Sequence, residues 1–209
     1  MVTQSAIANG PTQDSRVEEK IRKLRELYAD APEIGRTALE KGLPMLTEAL
    51  AAAPRVETAG RIGLRQGQVS ELIVFLPFVK GGAKRLRSFL QLLEGNFRAA
   101  DAVGTVHDMR FVFVDNDTKL LFATAYDGDF DAYIEDFAAK IPNAMDLWLS
   151  NCEGYPGMRD PAAAKEWIAN HQIAAEAWYV NSPNLTAAQT RRLEHVGKAV
   201  DQLLDKIGS

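Results

Sequence analysis

The sequence predicts an α+β fold, in which a four-stranded antiparallel sheet follows the order β-α-β-β-α-β, with extra helices before and after it. Three observations predict this order: short runs of β-branched and aromatic residues, helical periodicity between the runs, and turn-forming residues at the boundaries. The chain has 209 residues, of which 46% are apolar and 25% charged. These are the proportions of an ordinary globular protein that needs no disulfides to bury a core.

Charge and cysteine content exclude several classes of protein. The 24 basic and 28 acidic residues give a net charge of −4, whereas general nucleic-acid or anionic-membrane binders need a basic surface. The single cysteine, Cys152, excludes an internal disulfide and fits a reducing compartment. The apolar run 72–79 is too short to span a bilayer, and residues 1–15 lack the parts of a signal peptide. We expect a cytoplasmic protein with no membrane or nucleic-acid partner.

The first third of the chain predicts a helical arm. Residues 1–14 are expected to be a disordered tail, and residues 15–68 a helical arm followed by a connector. Ser15 and Glu18 have the spacing of a capping box, which predicts that a helix begins there. In the next helical stretch Gly42 and Pro44 interrupt the periodicity, so two short helices are expected.

Residues 69–209 are predicted to form the α+β domain. The run 69–79 is apolar and β-branched, which favours a buried strand, and 83–102 then adopts the period of a helix that crosses the sheet. Residues 107–114 and 119–126 are two further strand-like runs separated by four turn formers. Those two runs therefore predict a hairpin.

The remaining chain completes the order. Asp127 and Asp129 are both able to cap the helix that follows, and residues 175–181 are expected to be the fourth strand. Thr186 and Gln189 predict a capping box that opens the last helix. The apolar stripe of that helix consists of Leu193, Val196, Val200, Leu203 or Leu204, and Ile207. Together, the predicted strands and helices follow the ferredoxin-like pattern, with additional N-terminal and C-terminal helices.

One face of such a sheet has no helix of its own. Strands as apolar as 111–114 and 120–126 would expose a larger patch than a soluble monomer tolerates. Two covers are available, namely a second subunit that stacks sheet to sheet, or the helices of residues 15–52. We favour the homodimer.

Three short segments resemble a known superfamily. They are 106–110 (VHDMR), 126–128 (YDG) and 154–156 (GYP). The chain resembles the dimeric α+β-barrel and ferredoxin-like superfamily, in particular poorly characterised bacterial peroxidase-related proteins, with a distant likeness to dye-decolorising peroxidases. The resemblance implies oxidoreductase chemistry, with haem or with no cofactor.

The candidate catalytic residues are His107, Arg110 and Asp127. An imidazole acts as a base near neutral pH or ligates haem iron, and Asp127 with Arg110 would move a proton from peroxide in a peroxidase-like enzyme. Strict strand alternation puts His107 and Arg110 on opposite faces and puts His107 on the face of Phe111 and Phe113. Structural roles explain the same residues: a hydrogen bond at a strand end for His107, a surface ion pair for Arg110, and a helix cap for Asp127.

Ligand-binding residues are expected among the aromatic side chains nearby. These are Tyr126, Tyr155, Phe111 and Phe113. Cys152 has no cationic neighbour in its segment to lower its pKa and is assigned to packing. The three histidines lack the spacing of a metal site, so no metal is predicted.

Two functional hypotheses follow. The first is a small-molecule enzyme of the oxidoreductase class, peroxidase-like or cofactor-free monooxygenase-like, acting on an apolar ligand between the sheet and its cover. The second is a non-catalytic ligand-binding or dimerisation accessory module.

Overall fold

A computed structural model describes residues 13–52, 56–94 and 96–207. The predicted tail 1–14 lies outside the described residues, except for Gln13 and Asp14, which begin the first helix. The chain divides into two compact units, Met1–Arg55 and Val56–Ser209.

The first unit contains two helices, α1 (Gln13–Leu27) and α2 (Glu33–Ala52). An ion pair between Arg25 and Glu40, 2.8 Å long, connects them. The expected break in the second stretch is wrong, because α2 runs without interruption through Pro44. A proline removes one backbone hydrogen bond, and the good helix formers on either side of it keep the helix continuous.

The second unit is built on a five-stranded antiparallel sheet of strand order β1-β2-β3-β5-β4. The strands are β1 (Glu57–Thr58), β2 (Leu64–Gln66), β3 (Val69–Pro77), β4 (Val106–Val114) and β5 (Lys119–Asp127). The α+β class is confirmed, but the four-strand count is wrong. Two short strands lie in the region expected to be a connector, where they extend the sheet beyond β3.

The predicted fourth strand, residues 175–181, is not a strand. The chain instead meets the free edge of β3 earlier, where Val74 and Gln172 form an antiparallel bridge. The amide of Phe75 donates to the carbonyl of His171 at 3.0 Å, and the amide of Ile173 donates to the carbonyl of Ile73 at 2.9 Å. The backbone therefore pairs with β3 at residues 171–173 and not in the run 175–181, which has the higher β-propensity.

The helices of the second unit are α3 (Gly82–Leu92), α4 (Arg98–Val103), α5 (Phe130–Lys140), α6 (Pro142–Leu149), α7 (Pro161–Asn170) and α8 (Ala187–Ile207). The single helix expected over 83–102 is divided into α3 and α4, and Glu94 between them has a φ of 48°. That left-handed conformation ends a right-handed helix. Among the described residues no helix is both long and apolar enough to cross a bilayer.

The predicted hairpin is confirmed. β4 and β5 pair from Val106 with Tyr126 to Val114 with Lys119. Asp115, Asn116 and Asp117 between them all have positive φ, which Asn and Asp tolerate better than other side chains.

The core lies on one face of the sheet. Leu72, Val74 and Leu76 of β3 and Leu120 and Phe122 of β5 are buried there with apolar side chains of the helices. The alternate residues of these strands point to the opposite face and do not belong to the core cluster; they include Ile73, Phe75, Leu121 and Ala125. We call this opposite side the second face.

Candidate functional site

A β-bulge brings His107 to Asp127. The register of β4 against β5 shifts between Val106 and Asp108, so His107 is the extra residue of the bulge. Its Nε2 lies 2.7 Å from Oδ1 of Asp127, at the end of the neighbouring strand. Strict alternation predicted that His107 lies on the face of Phe111, but the bulge instead brings it to Asp127, a residue of the second face.

Asp127 also holds the start of α8. Its Oδ1 and Oδ2 accept from the amide of Ala187 at 3.3 and 3.0 Å. The carboxylate thus satisfies one of the free amides at a helix N-terminus, where negative charge is favourable. The aspartate does cap a helix, but the helix is α8 rather than the α5 that follows it in sequence.

The second capping prediction is confirmed in the same place. The Thr186 amide donates to Oε1 of Gln189 at 2.8 Å, and the Gln189 amide donates to Oγ1 of Thr186 at 3.2 Å. Asp129, the other candidate cap of α5, makes no capping bond and instead pairs with Arg65 at 2.7 Å. The start of α8 therefore has both a capping box and an aspartate from the sheet.

His107 lies at the edge of two open clefts. The first, which we call the α8 cleft, measures about 380 Å³ and is lined by Val69, His107, Val180, Asn181, Ser182, Leu185, Thr190, Leu193 and Glu194. The second, the α4 cleft, measures about 370 Å³ and includes Arg98, Asp101, His107, Asp108 and Met109. The side chains of His107 and Asp127 are 20% and 14% exposed, so the imidazole is oriented by a carboxylate that is largely shielded from water.

Arg110 is not part of this pair. Its guanidinium lies 3.0 Å from the carboxylate of Asp108, and both side chains are well exposed. The structure therefore places Arg110 in a surface ion pair, and Asp127 bonds to His107 instead.

The four aromatic candidates belong to the helix-covered side. Phe111 packs against Trp148, and Phe113 stacks on Phe78. Tyr126 is fully buried and stacks on Tyr133 with ring centroids 3.9 Å apart. The hydroxyl of Tyr155 donates to Asp146 at 2.7 Å.

Burial governs the ionisation of these tyrosines. Loss of water around the ring raises the pKa of Tyr126 and that of Tyr155, and Asp146 raises the latter further. Both phenols stay protonated at physiological pH. Tyr126 belongs to the core cluster, and Tyr155 packs against it.

Haem does not fit between the sheet and its helices. The enclosed void there measures about 20 Å³, room for about one water molecule, and is walled by apolar core side chains. Beside His107 the α4 cleft carries the charges of Arg98, Asp101 and Asp108. A haem ring needs an apolar slot, which the α4 cleft does not supply.

The lone cysteine is a core residue. Cys152 is 2% exposed, and burial raises its thiol pKa to about 12. The thiolate needed for nucleophilic attack or metal binding is therefore scarce at neutral pH. Within the described part of the chain, no group of three or more His, Cys, Asp or Glu side chains is placed to hold a metal ion.

Sequence reasoning missed one buried carboxylate. Glu71 is 3% exposed, its Oε1 accepts from the amide of Leu64 at 3.0 Å, and burial raises its pKa. An acidic residue inside the apolar run 69–79 is a signal that sequence alone offers. The residues after position 175 that line the α8 cleft gave no such signal, because only the fold brings them close to His107.

Comparison with protein-family models, with curated proteins and with solved structures gave no match for this chain.

Proposed function

We propose that the chain is a small-molecule enzyme in which His107, oriented by Asp127, acts as a general base on a ligand in the α8 cleft. The observation that supports this most directly is the 2.7 Å bond between the two side chains at the edge of that cleft. A carboxylate that fixes one imidazole nitrogen leaves the other to exchange a proton with a ligand.

The chemistry proposed is cofactor-free oxidation of the monooxygenase-like kind. His107 removes a proton from an acidic C–H or O–H of the substrate, and the resulting anion is the species that reacts with dioxygen. The Asp127 carboxylate stabilises the imidazolium that forms, as a buried carboxylate does beside a histidine base. The mixed lining of the cleft, with Val69, Val180 and Leu193 beside Asn181 and Glu194, suits a mainly apolar molecule with one or two polar groups.

The test is oxygen uptake with a panel of hydroquinones and other oxidisable phenols. His107→Ala is expected to lower turnover by about 10²- to 10⁴-fold, the usual contribution of a general base. His195→Ala is the matched control, because His195 is exposed on α8. Equal turnover by the wild type and His107→Ala would contradict the proposal.

The second candidate function is a non-catalytic ligand-binding or dimerisation module. It is favoured by the fact that Asp127 bonds both His107 and the α8 amide of Ala187, so the pair also serves to attach a helix to the sheet. A native mass spectrum of the protein from its own host separates the two. A bound molecule that stays unchanged under air, with no uptake from the panel, supports the module.

A further inference from the structure

The C-terminal helix carries an apolar stripe that the other described residues of its own unit leave uncovered. Every residue from Arg192 to Ile207 is exposed. The exposed fractions of the large apolar side chains are 54% for Leu193, 50% for Val196, 47% for Val200, 57% for Leu203 and 73% for Ile207. Over this exposed part of α8 the stripe gains no burial within its own unit.

The spacing of the stripe specifies a helix as its partner. Leu193, Val196, Val200, Leu203 and Ile207 are separated by three, four, three and four residues, which is the a/d repeat of a coiled coil. We infer that α8 pairs in parallel with α8 of a second copy of this chain. The inference does not depend on the chemistry proposed for His107.

The residues at the seam favour a parallel pair of helices. Val200 and Ile207 occupy a positions and Leu203 a d position, and β-branched a residues with leucine at d favour parallel dimers. The first layer alone is reversed, with Leu193 at the a position and Val196 at the d position. The seam is apolar on its flanks as well, because Leu204 stands at an e position.

Charges at the edges of the seam act against the antiparallel alternative. That arrangement brings Arg192 toward Lys206 of the second copy, and both are cationic g residues. In the parallel arrangement Arg192 faces Gly197 and Ala199 faces Leu204, so no like charges meet. A Cβ added at Gly197 would contact nothing within 4 Å, which leaves room beside the seam.

The size of the seam sets the strength of the dimer. Residues 193–207 extend for about 21 Å, and two helices packed along that length bury on the order of 500 Å² in total. Stable specific interfaces bury at least about 1,200 Å², so we expect a dimer that dissociates on dilution. Leu193 also lines the α8 cleft, so the second copy stands at the edge of that cleft.

The experiment is sedimentation velocity of the full chain over a wide concentration range. The wild type is expected to shift from dimer to monomer on dilution, Leu203→Glu to be monomeric throughout, and Gln202→Glu to behave as the wild type. Gln202→Glu places the same charge on the outer side of the same turn. Circular dichroism checks that each variant is folded, and Val200→Glu provides a second disruption of the seam.

The relative direction of the two α8 helices is tested by oxidation. Ile207→Cys is expected to form a disulfide-linked dimer, because parallel pairing puts the two thiols side by side, whereas an antiparallel pair centred on the seam separates them by about 20 Å. Gln202→Cys is the control, and the buried Cys152 is present in both variants. A wild type that stays monomeric at every concentration, a Leu203→Glu dimer, or an Ile207→Cys chain that fails to cross-link would each overturn the inference. None of these results depends on enzyme activity.

Discussion

The Nε2 of His107 lies 2.7 Å from Oδ1 of Asp127, although 20 positions separate the two residues in the chain. The contact exists because β4 bulges between Val106 and Asp108. A regular strand would have pointed the imidazole toward the core. One inserted residue thus decides that the histidine faces a cleft instead of joining the aromatic packing.

Asp127→Ala is expected to loosen α8 from the sheet. The substitution removes a cap on the amide of Ala187, worth about 1 kcal/mol, and leaves His107 without its partner. We expect faster hydrogen exchange over residues 187–190 and a loss of about 1–2 kcal/mol in the free energy of unfolding. His107→Ala keeps the cap and serves as the control. Unchanged exchange at the start of α8 in Asp127→Ala would contradict the capping role.

Glu71 is expected to make stability depend on pH. Burial raises the pKa of this carboxyl above its ordinary value of 4.5, so the folded state holds the proton more tightly than the unfolded chain. Stability from this group is then fully present below pH 4.5 and is lost as pH rises through the raised folded pKa. Glu71→Gln keeps an acceptor for the amide of Leu64 and does not titrate. Urea unfolding across this pH range should show a smaller decline in stability for Glu71→Gln, and equal slopes would contradict the prediction.

Cys152 is expected to be chemically silent in the folded protein. Its side chain is buried and its pKa is raised to about 12, so both access and the thiolate are lacking. Iodoacetamide at pH 8 should label it only after denaturation. Labelling at the rate of a free peptide thiol under native conditions would show that the segment opens.

Two glycines with nearly the same positive φ are expected to respond differently to alanine. Gly63 and Gly104 have φ of +82° and +86°, so each substitution costs about 1–2 kcal/mol in backbone strain. A Cβ at Gly63 would also lie 2.2 Å from the carbonyl oxygen of Glu71, whereas one at Gly104 meets nothing within 4 Å. Thermal unfolding should therefore show a clearly lower Tm for Gly63→Ala than for Gly104→Ala. Similar Tm values for both variants would contradict the close approach at Gly63.

Local sequence signals determined the elements whose cause lies within a few residues. The apolar runs 106–114 and 119–127, with Asp-Asn-Asp-Thr between them, specify a hairpin, because turn formers and β-branched residues act on their own backbone. The capping box of Thr186 and Gln189 is equally local and is present in the structure.

Tertiary structure decided everything that depends on residues distant in sequence. Periodicity does not reveal a bulge, so the side on which His107 lies was set only when β4 paired with β5. The sequence predicted that Asp127 caps the adjacent helix, but in the fold its carboxylate accepts from the amide of Ala187, 60 residues later. The physical reason is that the ability of a side chain to accept a hydrogen bond is a local property. The donor that lies within reach of it depends on how distant segments pack.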